Sequence, residues 1–184
     1  MLTRRWQQGS AHLSEFGAAL FLLISCIIIP LIDLAIIPVR WSLGKSMVSS
    51  RVHQLAQSET ISEAFKAFQQ DVSFPNKLQR IGGITVKSSH LSLTAASVRH
   101  AGEIKTINRA GALPRDWLPD GSRSPCIYQL DLTVSADVDP LITAPLPHLP
   151  IPGLTRPMSM QFHDVSAWEN LGRDPSSGEF FMNE

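Results

Sequence analysis

The stretch Gln8–Trp41, QGSAHLSEFGAALFLLISCIIIPLIDLAIIPVRW, decides how the rest of the chain is read. No charged side chain falls between Phe16 and Ile32, and the apolar character resumes after Asp33 and runs to Val39. As a helix, the 24 positions from 16 to 39 would span about 36 Å, against a hydrocarbon core of roughly 30 Å. The segment is long enough to cross a bilayer. It is too long for the apolar region of a secretory signal, and no small-residue cleavage pattern follows it. Pro30 withholds an amide donor and crowds the preceding turn, so a kink is expected over Cys26 to Pro30, and Pro38 should act similarly nearer the exit. Asp33 would cost several kcal/mol facing lipid at depth, which predicts a position at headgroup level or against a partner helix.

Apolar residues make up 43% of the 184 residues, but that average conceals their concentration in this one block. Sixteen basic and sixteen acidic side chains cancel, and no Lys/Arg cluster interleaves with aromatics, which argues against a nucleic-acid partner. Cys26 lies inside the apolar block and Cys126 beyond it. A bond between them would join lipid to water, so both read as free thiols. Arg4 and Arg5 precede the block, and Arg40, Lys45 and Arg51 follow it. The positive-inside rule is therefore close to a tie, and charge does not set the orientation.

Beyond the block the pattern stays helical. Leu43, Met47, Val48, Val52 and Leu55 recur at three- to four-residue spacing, with Lys45, Arg51 and Gln54 off the stripe. Thr60-Ile61-Ser62-Glu63 has the form of a capping box, restarting a helix through Phe65 and Phe68 to about Asp71. Phe74-Pro75-Asn76 is expected to end it. Strands follow. Ile84 and Val86 share one parity and Leu91 and Leu93 the other, which predicts a bulge near Ser88 to His90. From Ile127 to Val138, Tyr128, Leu130, Leu132, Val134 and Ala136 alternate with Gln129, Asp131, Thr133 and Ser135, the pattern of a strand with one buried and one wet face. Met158, Met160 and Phe162 alternate with Gln161 and His163 in a further strand. Between strands, Gly111 to Pro125 reads as a long surface loop with a turn at Pro119 to Gly121. The segment from Asp139 to Pro157 holds six prolines and many apolar residues. It reads as a semi-rigid connector lying on the domain or against a partner.

The resulting fold class is α+β: a long transmembrane helix with an amphipathic extension, then a small antiparallel β-sheet domain. Its segments are a basic leader (1–15), the transmembrane helix (16–39), a helical stalk (40–72), the β domain (73–171) and a flexible, turn-rich tail (172–184) in which Phe180 and Phe181 are the docking candidates. No P-loop, nucleophile-elbow, paired-cysteine or zincin motif is present. His163 and Asp164 are neighbours, but adjacent strand residues point to opposite faces and make a poor pair of ligands. Trp117 and Trp168 read as packing or interface aromatics. The expectation is a protein that is not an enzyme and needs no cofactor or metal.

A basic leader with Arg4 and Arg5, the small residues Gly9, Ser10 and Ala11, and Glu15-Phe16 opening an apolar helix together resemble the class III signal sequences of pilins and pseudopilins. More closely, GSAHLSEFGAALFLLISCIIIPLIDLA is similar to the start of TadE/TadG-like proteins of Tad (Flp) pilus systems, with Glu15, Pro30 and Asp33 at the matching positions. The stretch from Tyr128 to Asn170 resembles the end of such proteins more weakly, as a strand, a Pro/Leu connector, a Pro-Gly turn and a last strand. The resemblance implies a pilin-like fold, processing by a prepilin peptidase between Gly9 and Ser10, and other pilus subunits and inner-membrane lipid as partners. It also implies a bacterial inner-membrane, single-pass topology with the leader cytoplasmic and the β domain exported. Glu15 and Asp33 would then contact neighbouring subunits or helices, although Glu15 also reads as a helix-start acid favoured by the macrodipole. Two functional readings follow: a structural minor pilin-like subunit or assembly factor of a Tad-type system, and a membrane-anchored extracytoplasmic binding module that never enters a filament.

Overall fold

The computed structural model describes residues 15–142 and 150–184. The chain forms two compact units, one of residues 1–39 with 139–158 and the other of residues 40–138 with 159–184. Helix α1, Glu15–Ala56, contributes its first part to one unit and its last part to the other.

In the first unit α1 is long and apolar enough to cross a membrane, and only 6% of its most apolar 18-residue window is buried. Phe16, Phe21 and Leu31 are exposed at 68%, 69% and 59%. Apolar side chains left uncovered over this length are what a helix surrounded by lipid presents. The described part of the Asp139 to Met158 segment belongs to this unit. It closes in a turn where Pro152 bridges to Arg156.

The second unit is an α+β domain. Val48, Val52 and Leu55, on the apolar stripe of α1, are buried in its core. Helix α2, Ile61–Gln70, begins at Thr60, whose hydroxyl accepts the Glu63 amide as a capping box requires. Phe65 is buried and Phe68 packs against the core. Phe74-Pro75-Asn76 does not end a helix, contrary to the sequence expectation. It lies in the first turn of α3, Ser73–Gly82, where a proline costs nothing because its missing amide would have had no intrahelical acceptor. The break falls earlier, at Asp71, whose carboxylate accepts the Ser73 and Phe74 amides and the Ser73 hydroxyl. Gly83, at φ 60°, ends α3 in the left-handed conformation and returns its amide to Gln79.

The sheet is antiparallel, in the order β2-β1-β3-β4. Its strands are β1 (Ile84–Ser97), β2 (Ile104–Ile107), β3 (Cys126–Val138) and β4 (Met158–Ala167). The register between β1 and β3 shifts between Val86 and Ser88. That bulge is why Ile84, opposite Val138, and Leu91, opposite Leu132, both reach the core from opposite sequence parities. On β3 the expected alternation holds, with Tyr128, Leu130, Leu132, Val134 and Ala136 buried. The short β2 was not foreseen. The Gly111 to Pro125 loop is more than surface: a 3₁₀ turn at Arg115–Trp117 carries Trp117 and, with Leu113 and Leu118, joins the core. The Tyr128 hydroxyl donates to the Trp117 carbonyl. Residues 172–184, expected to be flexible, are docked. Phe180 and Met182 are buried, and the Phe181 and Glu184 carbonyls accept the Ile61 and Ser62 amides at the start of α2. Those two amides have no acceptor within their own helix, so the tail supplies what the first turn of α2 lacks.

Candidate functional site

The chemistry singled out by the sequence lies on the apolar half of α1. Gly9 and Ser10 are outside the described residues. Glu15 stands exposed in the first turn of the helix, where the macrodipole favours a carboxylate. Before Pro30 the helix does not stay α-helical. Ile24–Ile28 winds as a π turn, and the Ile29 amide reaches back to the Ile24 carbonyl. One residue too many in a turn is the local answer to a proline ring that would otherwise press on the carbonyl four residues earlier.

Asp33 sits one turn beyond Pro30 and is fully buried, at 0% exposure, although the helix around it is bare. Its Oδ1 accepts two backbone amides, from Leu141 at 2.9 Å and Ile142 at 3.0 Å. Its Oδ2 has no hydrogen-bond partner among the described residues. The acid expected at headgroup level or against a partner helix is thus answered by its own chain, 108 residues away in sequence. A second contact reinforces the first: Gly153, at φ 82°, lies so close to α1 that a Cβ there would meet the Ile37 side chain at 2.6 Å. Two demands, left-handed backbone and close approach, fix glycine at this position. Nothing local in the sequence pointed to Leu141 and Ile142. The only available sign was that the connector carries no Asp, Glu, Lys or Arg between Leu141 and Thr155.

In the second unit the polar side chains form rows across the sheet. Thr106 on β2 meets Thr94 on β1 at 3.3 Å, Thr94 donates to Asp131 on β3 at 2.5 Å, and His163 on β4 lies 3.5 Å from the other Asp131 oxygen. A second row joins Lys87, Asp137 and Ser159 at 2.7 and 2.6 Å. The Lys87 ammonium and the Ser159 hydroxyl hold the Asp137 carboxyl below its ordinary value. His163 and Asp164 do turn to different partners. Asp164 pairs with Lys45 at 3.1 Å, and the Ser49 hydroxyl, ahead of Lys45, keeps its carboxyl low against the effect of burial. Arg51 pairs with Asp71 at 2.7 Å. Burial works to raise the Asp71 carboxyl, but the Ser73 hydroxyl, Arg51 and the Phe74 and Ser73 amides outweigh it and hold it below the usual range. Trp117 and Trp168 are buried, as packing aromatics are. Cys26 and Cys126 are free. No group of three metal-ligating side chains occurs among the described residues.

No protein-family model, curated protein or solved structure matches the chain. The reading of its role therefore rests on the residues themselves.

Proposed function

We propose that this chain is a structural, membrane-anchored protein: a minor pilin-like subunit or assembly factor of a Tad-type pilus, held in the bacterial inner membrane by α1 with its sheet unit exported. The observation that carries the reading is the uncovered apolar surface of Phe16 to Val39, which no soluble fold leaves bare over that length without cost. The order of Glu15, Pro30 and Asp33 along that helix supports the pilin-like form of it. In this role the protein works by placing helices and charges among other subunits rather than by bond chemistry. Glu15 at the cytoplasmic end would meet an amine or guanidinium of a neighbour.

A second reading is favoured by the polar rows on the sheet, which give a hydrogen-bonding face of the kind a binding module presents. The two separate on processing. N-terminal sequencing of the protein co-produced with a prepilin peptidase should return Ser10 as the first residue of a subunit. An intact leader would instead favour the binding module.

A further inference from the structure

We infer that the described ends of the Pro-rich connector, Leu141–Ile142 and 150–155, are a second membrane-contacting element, seated in the lipid interface beside the exit of α1 and held there by Asp33 and the Gly153–Ile37 contact. This rests on the reading that α1 spans the bilayer. Under that reading Asp33 and Ile37 lie only about 9 Å and 3 Å along the helix from Val39, where the apolar run ends, so whatever touches them sits at the boundary of hydrocarbon and headgroups. The two residues that bond Asp33 are apolar and exposed, Leu141 at 51% and Ile142 at 42%, and Ile151, two positions before the buried Gly153, is 39% exposed. From Leu141 to Thr155 there is no Asp, Glu, Lys or Arg, and Asp139 and Arg156 bracket the run.

The backbone fits the same setting. An irregular segment enters a water-poor layer only when its amide donors are answered within the protein. The Leu141 and Ile142 amides go to Asp33. The Ile151 amide goes to the Thr155 hydroxyl, the Gly153 amide to the Arg156 carbonyl, and the Leu154 and Thr155 amides to the Ile151 carbonyl. Pro150 and Pro152 carry no donor at all. Every described amide from 150 to 155 is thus either satisfied or absent. A loop meant for water would need neither so many prolines nor a buried carboxylate to satisfy its donors.

The test uses the full chain, carrying Cys26→Ser and Cys126→Ser, in phosphatidylethanolamine–phosphatidylglycerol vesicles. A nitroxide is attached at Ile151→Cys, at Leu23→Cys within the span, or at Gln129→Cys on the sheet. The expected result is that the label at 151 collides more with oxygen than with an aqueous nickel complex, as at 23 but at shallower depth, while 129 shows the reverse. Adding Asp33→Ala should shift the 151 label toward the aqueous pattern, and Asp33→Asn, whose amide oxygen still accepts, should leave it in lipid. A water-like 151 beside a lipid-like 23 overturns the inference alone. A label at 151 shielded from both reagents means that protein covers it, and overturns it too. A water-like 23 overturns the spanning reading and this inference together.

Discussion

The two halves of α1 are built from similar residues and treated oppositely by the fold. From Phe16 to Val39 most apolar side chains are exposed, with Phe21 at 69%, whereas from Arg40 to Ala56 one stripe is sealed, with Val48 at 0% and Leu55 at 1%. An all-round apolar surface needs an apolar solvent, while a stripe needs only a sheet to lie on. Ser25, Ile29, Pro30, Ile36 and Ile37 are half-buried, and Asp33 alone in the first half is fully buried. It marks the point where the bare helix first acquires a covering of its own chain.

The comparison predicts that truncation will separate the halves. Leu55→Ala should cost the sheet unit about 2–5 kcal/mol by leaving a cavity in its core. Leu31→Ala should move the same unfolding midpoint by less than about 0.5 kcal/mol. Denaturant melts followed by tryptophan fluorescence would decide, and equal losses would break the contrast.

Next in size is Gly153→Ala, which combines a positive φ with a collision at Ile37 and should destabilise the connector's seat by about 1–3 kcal/mol. It should appear as faster amide exchange at Leu141 and Ile142, with the sheet unchanged.

Asp71→Asn sharpens the contrast from the other side, because this acid is answered by Arg51 and by the start of α3 rather than by the connector. Its carboxyl is held low in the fold, so its stabilisation is fully present above the unfolded value near pH 4 and is lost as pH falls through the folded value. The variant should be weaker than the parent by about 1–2 kcal/mol at neutral pH, and the gap should close on acidification. A gap constant down to acid pH would contradict the assignment.

Thr60→Ala follows, expected to cost about 1 kcal/mol through loss of the Glu63 amide's acceptor. Helix content by circular dichroism during thermal melts would register it.

Much of this architecture is written locally in the chain. The apolar run, the capping residue Thr60, the alternation of β3 and the parity switch in β1 all depend on neighbours within a few positions, and the fold realises each. What escaped depends on partners far away. Pro75 looks like a terminator until Asp71 supplies the break that makes it the start of α3. The tail looks frayed until α2 presents two unanswered amides to Phe181 and Glu184. The polar row through Thr94, Asp131 and His163 exists only once four strands are in register. Asp33 is the sharpest case: its position could be read from the sequence, but its donors at Leu141 and Ile142 could not.

The central claim, that Phe16 to Val39 lives in a bilayer, is tested most directly by density-gradient flotation of carbonate-washed membranes from cells producing the full chain. The account predicts that the protein floats with the lipid and leaves it only in detergent. Recovery as a soluble monomer in the carbonate wash would contradict it.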